Sequence, residues 1–148
     1  MNKEAYNSIL KNMLENPKVN IKIKLASLWA SVTFCYLYGD YFELYTPGKI
    51  DSLLTGENIL DSPTKLLIAT VILAISSVMV ALSIILKPKI SRILNIIFGM
   101  LFTLMMLFIG FNSNTGWYGF YVFLAFLESI LTALIVWYAW KWPKEETM

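Results

Sequence analysis

Four long apolar stretches alternate with short polar stretches along the chain. They cover residues 25–45, 66–86, 93–111 and 117–140. The hydrocarbon core of a bilayer is spanned by about 20 residues of helix, so each stretch is long enough to cross it. The pattern predicts an all-α fold, a transmembrane four-helix bundle that forms a single integral membrane domain over residues 1–148.

The polar connections predict how these spans are joined. Residues 46–64 form the longest connection, an outer loop, and a loop of this length is expected to hold a short cap. The connection around Pro88 is only a few residues long. Short connections join antiparallel neighbours in helical bundles, so the second and third spans are predicted to pack side by side.

A further helical pattern precedes the first span. Apolar residues recur at helical spacing over residues 2–16, with charged residues on the other side, and Asn16-Pro17 ends the pattern. This predicts a short N-terminal amphipathic helix. Such a helix either lies in the membrane interface or packs on the cytoplasmic end of the bundle.

The basic residues predict the orientation. They cluster before the first span, between the second and third spans, and after the fourth span. These clusters are Lys3, Lys11, Lys18, Lys22 and Lys24, then Lys87, Lys89 and Arg92, then Lys141 and Lys144. Lys and Arg are concentrated on the cytoplasmic side of membrane proteins, so both termini are predicted to be cytoplasmic. The expected location is the bacterial cytoplasmic (inner) membrane.

The amino-acid composition limits the kinds of reaction and binding that the protein can carry out. The hydrophobic fraction is 57% and the charged fraction is 15%, against roughly 45–50% and about 25% in soluble domains. The net charge of +2 is too small to indicate nucleic-acid binding. The sequence has no histidine and one cysteine, Cys35, which removes the commonest general base and any two-cysteine redox centre. No metal, cofactor or catalytic motif is expected, and an enzymatic role is disfavoured.

Small and polar residues recur every three or four positions in each span. In a bilayer, helices associate through such residues. The stripes are Trp29, Thr33, Tyr36, Asp40 and Glu43 in the first span; Thr70, Ala74, Ser77 and Ala81 in the second; Asn95, Gly99, Thr103, Met106 and Gly110 in the third; and Tyr121, Ala125, Glu128 and Thr132 in the fourth. All four stripes are predicted to face one axis and form a polar seam, although most of the small residues are expected to serve only as packing surface.

Glu128 is the leading candidate for function. It lies near the middle of the fourth span, where a charge costs several kcal/mol and is normally paired, protonated or hydrated. No Lys or Arg lies inside a span. Glu128 therefore either binds a proton, a cation or a polar ligand, or serves as a protonated hydrogen-bond donor in the fold. Asp40 and Glu43 lie on one face of the first span, either as part of the same site or hydrated at the surface beside Lys49 or Lys65. The candidate seam comprises Glu128, Asp40, Glu43, Tyr36, Asn95, Thr103, Tyr121 and Thr132.

A family resemblance lies in three stretches, residues 22–48, 86–97 and 120–143. These stretches include the strings YGDYF and AWKWP. On these the chain resembles a family of small bacterial four-span membrane proteins with no assigned activity. The layout is also similar to that of DoxX-like four-helix membrane proteins, an analogy of architecture alone. The resemblance implies the fold and location and no catalytic residue.

Three functional classes remain open. The first is a non-enzymatic membrane protein whose seam binds a small molecule or ion, or supports a membrane complex. The second is a proton- or cation-coupled transporter that works as an oligomer through Glu128. The third is a membrane enzyme acting on a lipid or quinone, which the lack of histidine and of a nucleophile motif disfavours. The expected partners are the lipid bilayer, a small ligand or ion, and a second copy or another membrane protein.

Overall fold

The computed structural model describes residues 17–113 and 116–143. The predicted amphipathic helix at residues 2–16 lies outside this range. The elements are α1 (Ile21–Glu43), α2 (Lys49–Thr55), α3 (Pro63–Ile85), α4 (Pro88–Asn112), a 3₁₀ turn (Gly116–Tyr118) and α5 (Gly119–Trp140). The described residues contain no β-strand. The all-α prediction is therefore confirmed over this part of the chain.

Local sequence signals explain where the helices begin. Asn20 caps α1, because its side-chain oxygen accepts a hydrogen bond from the backbone N–H of Lys22 at 2.9 Å. Ser62 caps α3 in the same way, and Pro63 occupies the first turn. Pro88 also occupies the first turn of α4, a position where proline's missing N–H costs nothing. These three helices thus start several residues before the apolar stretches that predict them, whereas α5 starts at Gly119, within its predicted stretch.

Within residues 17–113 and 116–143, three helices are long and apolar enough to cross a membrane, whereas the apolar stretches predicted four. They are α3, α4 and the stretch Gly116–Trp140. Helix α1 has 23 residues, the same length as α3. It is less apolar because Lys22 and Lys24 lie near its start, Asp40 and Glu43 lie near its end, and serine, threonine and tyrosine residues occur between them.

The helices pack in the order α3, α1, α5 and α4. Helix α1 contacts both α3 and α5, and α5 in turn makes its most extensive contacts with α4. Helices α3 and α4 are also in contact, as the short connection predicted, and Ser83 Oγ of α3 donates to Asn95 of α4 at 3.2 Å. They share fewer contacts than α1 and α3 or α4 and α5 do, because a tight turn fixes only the ends of two helices, whereas side-chain packing decides how far they stay together.

Chain direction gives the bundle two distinct ends. The "α2 end" is where α1 finishes and α5 begins, and the "Pro88 end" is where α3 finishes and α4 begins. At the Pro88 end the ammonium of Lys22 donates to the carbonyl oxygens of Ile84 at 3.0 Å and Leu86 at 2.6 Å. Cations at helix C-termini satisfy carbonyls that lack a helical partner. Lys22 therefore ties the start of α1 to the end of α3.

Three of the four predicted stripes face the interior. In α4 the buried positions include Asn95, Gly99 and Met106, and in α5 they include Glu128 and Thr132. The exception is α3, where the predicted stripe is exposed at every position: Thr70, Ala74, Ser77 and Ala81. The buried residues of α3 are Ser76, Met79 and Ser83. The prediction for this helix was wrong because α3 also carries small residues on a second face, and the larger Met79 accompanies that face inward.

Candidate functional site

The polar seam is divided into layers along the bundle, and the first layer is centred on Asn95 near the Pro88 end. The side-chain oxygen of Asn95 accepts from Trp29 Nε1 at 2.7 Å and from Ser83 Oγ at 3.2 Å. Its amide nitrogen donates to the backbone oxygen of Ser91 at 2.8 Å. Asn95 and both serines are fully buried. This layer joins α1, α3 and α4, and its hydrogen-bonding groups are occupied by one another.

A second layer lies at mid-bundle. Thr103 Oγ1 in α4 donates to Thr132 Oγ1 in α5 at 2.7 Å, and Thr132 Oγ1 donates to the backbone oxygen of Glu128 at 2.8 Å. The indole of Trp29 meets the ring of Phe102 edge to face, with centroids 5.7 Å apart. Trp29 and Phe102 are both fully buried. These residues close the bundle between the Asn95 layer and the side chain of Glu128.

A small cavity lies on the α2 side of this closed layer. Its volume is about 20 Å³, enough for about one water molecule. Helix α1 contributes Cys35, Tyr36, Gly39 and Asp40, helix α4 contributes Met106, and helix α5 contributes Tyr121, Leu124, Ala125 and Glu128. No Lys or Arg is among these lining residues. The cavity therefore combines two acids and two phenols with no compensating cation in its wall.

Two polar groups of the cavity lack a protein partner among the described residues. The hydroxyl of Tyr36 is buried without any hydrogen bond, and Tyr36 is only 9% exposed. Glu128 is 3% exposed, and no side-chain hydrogen bond to its carboxyl group is formed within the described part of the chain. Buried polar groups are almost always hydrogen-bonded to protein or to ordered water. The Tyr36 hydroxyl and the Glu128 carboxyl group therefore line the cavity without a hydrogen bond from the described part of the chain.

Asp40 lies where the cavity opens. Asp40 is exposed. It lines both the cavity and a groove of about 290 Å³ between α1 and α3. Thr33, Tyr36, Thr70 and Ser76 also line this groove. Asp40 thus connects the enclosed carboxyl group of Glu128 to the outer surface of the bundle.

Glu43 belongs to a separate cluster at the α2 end. Its carboxylate pairs with Lys49 Nζ at 2.7 Å and accepts from Tyr118 Oη at 3.4 Å. The sequence offered Lys49 or Lys65 as partners, and the structure selects Lys49, whereas Lys65 pairs with Asp61 at 2.7 Å. Glu43 therefore fastens α2 onto the bundle and does not line the cavity.

The structure thus separates the residues that the sequence grouped into one seam. The cavity is lined by Glu128, Tyr36, Asp40 and Tyr121. The closed layer next to it contains Thr103 and Thr132. The other two residues, Asn95 and Glu43, belong to other layers. Sequence analysis placed Met106 and Ala125 in the inward-facing stripes but not in the candidate seam, and it missed Cys35, Gly39 and Leu124 as wall residues. Gly39 and Ala125 carried a usable signal, since small residues leave space between helices, but Leu124 had none.

The cavity and its surroundings do not have the form of a metal centre. No group of three or more His, Cys, Asp or Glu side chains comes together within residues 17–113 and 116–143. The described residues thus form an all-helical bundle, with three helices apolar enough to span a membrane and a small cavity lined by Asp40 and Glu128.

The chain belongs to a family of unknown function, DUF6326, whose model matches residues 13–148. The expected membership of a family without assigned activity is confirmed. No curated protein and no solved structure matches the chain.

Proposed function

We propose that the chain is a non-enzymatic integral membrane protein that crosses the bacterial cytoplasmic membrane four times, with both termini cytoplasmic. Helix α1 is the fourth crossing: it is as long as α3 and packs between α3 and α5. Its polar side chains Trp29, Thr33 and Tyr36 face inward, where lipid does not meet them. With four crossings the layout would be similar to that of DoxX-like proteins, an analogy of architecture alone.

The function that the geometry supports best is binding of a small polar molecule or cation in the cavity. The observation that carries this proposal is the pairing, in one enclosed space, of the unpartnered Tyr36 hydroxyl with the Glu128 carboxyl group. A carboxyl group accepts hydrogen bonds or binds a proton or cation, and a phenol both donates and accepts. An occupant that bridges the two groups would satisfy both. The small volume restricts it to about the size of a water molecule or a bare ion.

A proton- or cation-coupled transporter is the second candidate. Asp40 favours it, because this exposed acid joins the enclosed Glu128 to the groove between α1 and α3. Trp29 and Phe102 close the opposite side of the cavity. A site open toward one side and closed toward the other is what one state of a transporter requires.

Infrared difference spectroscopy on the purified protein in lipid nanodiscs tests the binding proposal. The carboxyl band of Glu128 is assigned by its loss in Glu128→Gln, and it is followed as pH is varied and as sodium replaces a bulky organic cation. We expect the band to respond to at least one of these changes. We also expect Tyr36→Phe to shift it, because the occupant bridges both side chains. Tyr38→Phe is the matched control, since Tyr38 lies on the same helix and is exposed.

A cavity without an occupant predicts a different result. An unbridged Tyr36 hydroxyl carries a desolvation cost of about 1–3 kcal/mol. If the cavity is permanently empty, Tyr36→Phe stabilises the protein by about that amount and leaves the Glu128 band unchanged, and the band ignores pH and sodium. That combination overturns the proposal. Proton-driven flux in proteoliposomes, lost in Glu128→Gln with folding intact, would favour the transporter over a static binding site.

A further inference from the structure

A groove at the Pro88 end lies outside the cavity and has a different chemistry. It has a volume of about 440 Å³ and lies between the start of α4 and the end of α5. Its wall includes Pro88, Lys89, Arg92, Ile93, Ile96 and Trp142. Since α4 begins and α5 ends here, the groove lies at the end of the bundle, where lipid headgroups meet a membrane protein.

Arg92 is held in a fixed position in this groove. Its Nε donates to the backbone oxygen of Ala139 at 3.1 Å, and its Nη2 donates to that of Trp140 at 3.2 Å. These two bonds cap the C-terminus of α5. A guanidinium has five N–H donors, so these bonds orient the group and leave further donors. An anchored cation loses little side-chain entropy when it binds an anion.

The start of α4 adds a second positive element. Lys89 is exposed and lies in the first turn. Lys87, at the N-cap position, makes no side-chain capping bond, so no side chain caps the first N–H groups of this helix. The N-terminus of a helix attracts anions through these N–H groups and the helix dipole. Lys89 and Arg92 therefore flank a site where the backbone N–H groups at the start of α4 add to the positive potential.

The surrounding charge reinforces this attraction. Every charged side chain that the structure describes at the Pro88 end is basic. These are Lys18, Lys22, Lys24, Lys87, Lys89, Arg92 and Lys141. The described acids lie at the α2 end or in the cavity. Apolar side chains of Ile93 and Ile96 continue the groove along the bundle, which suits acyl chains below an anionic headgroup.

We propose that this groove binds the headgroup of an anionic phospholipid, with its phosphate between Lys89 and Arg92 and its acyl chains along Ile93 and Ile96. Trp142 lines the same groove, and tryptophan favours the level of the headgroups because one part of its ring is apolar and its N–H is polar. Basic pockets between transmembrane helices are known to hold such headgroups. The proposal does not depend on what occupies the cavity near Glu128.

Native mass spectrometry of the full chain, released from detergent with added phosphatidylglycerol or phosphatidylcholine, tests the proposal. We expect retention of phosphatidylglycerol in preference to phosphatidylcholine. Lys89→Gln should weaken phosphatidylglycerol binding about fivefold, the effect of one basic residue near an anionic lipid.

Two variants with the same change of charge serve as controls. Lys18→Gln removes an exposed cation from the Pro88 end but outside the groove, and Lys65→Gln removes one at the α2 end. Lys65→Gln should bind the lipid as the wild type does, and Lys18→Gln should weaken binding less than Lys89→Gln, because Lys18 adds only to the surrounding charge. Equal binding of the two lipids would overturn the proposal, as would equal losses in Lys89→Gln and Lys18→Gln. Preference for inorganic phosphate over phosphatidylglycerol would assign the groove to a soluble anion and also overturn it.

Discussion

Asn95 shows how much a single polar residue contributes to this bundle. Its one side chain accepts from Trp29 in α1 and Ser83 in α3 and donates to Ser91 in its own helix. All four residues are fully buried. A network whose members satisfy one another specifies a unique arrangement of helices, because any other packing leaves donors unpaired.

Replacing Asn95 by leucine should therefore destabilise the protein. Asn95→Leu removes the acceptor for Trp29 Nε1 and Ser83 Oγ, and we expect a loss of about 1–3 kcal/mol in the free energy of unfolding. The measurement is reversible unfolding of the purified protein in mixed micelles, followed by tryptophan fluorescence.

Asn112→Leu is the matched control for this prediction. Asn112 lies at the other end of the same helix, is exposed and, among the residues that the structure describes, donates to the backbone oxygen of Phe108. Its replacement should change stability by less than about 0.5 kcal/mol. If both substitutions lowered the free energy of unfolding equally, the Asn95 network would add no stability to the folded bundle. Its hydrogen bonds would then be replaced by equally favourable ones when the protein unfolds in the micelle.

At the scale of elements, the pairing of α4 with α5 depends on one close approach. A Cβ atom at Gly99 would lie 2.8 Å from Val136 Cγ2 and 3.3 Å from the backbone oxygen of Thr132. The first of these distances is shorter than any normal carbon–carbon contact. Glycine lets the two helices approach at this point, as small residues do in membrane bundles.

Gly99→Leu should push α4 and α5 apart and cost about 1–3 kcal/mol, the usual effect of overpacking. Loss of the Thr103–Thr132 hydrogen bond, one turn away, should accompany it. Unfolding in mixed micelles measures the first effect. Gly119→Leu is the control, because a Cβ atom there meets no other atom within 4 Å. A Gly99→Leu protein as stable as the control would show that the interface adapts by moving Val136 alone.

Helix α3 illustrates what a periodic pattern leaves undecided. Its residues Thr70, Ala74, Ser77 and Ala81 have the spacing of an interface, yet they are exposed, while Ser76 and Ser83 bind across helices. Small residues occur on both faces of this helix. In a bilayer the apolar side chains of either face are equally soluble in lipid, so hydrophobicity does not choose between them. The partners on α1 and α4 make that choice.

At the scale of the whole molecule, the main prediction concerns the number of crossings. If α1 crosses the membrane, residues 18 and 57 lie on opposite sides. Single cysteines introduced as Lys18→Cys and Glu57→Cys in a Cys35→Ala background test this with a membrane-impermeant maleimide in intact bacterial cells. We expect Glu57→Cys to be labelled directly and Lys18→Cys only after permeabilisation, because the basic end faces the cytoplasm.

The same experiment has an internal control. Lys87→Cys lies in the turn between α3 and α4, at the same end of the bundle as residue 18. It should label only after permeabilisation, as Lys18→Cys does. Direct labelling of both Glu57→Cys and Lys18→Cys would place both ends of α1 on one side and leave a three-span protein.

The sequence by itself determined the helical class, the long apolar helices and the asymmetric charge of the two ends, because these follow from composition and from periodicity within a segment. It also pointed to Glu128, Tyr36, Asp40 and Tyr121, since polar residues inside an apolar helix are costly and therefore conspicuous. Only the tertiary structure decided that these four share a cavity, that Asn95 and Glu43 belong elsewhere, and that α3 turns its other face inward. Those outcomes depend on which helices lie beside one another, and that is decided by hydrogen bonds and close contacts between residues far apart in the chain.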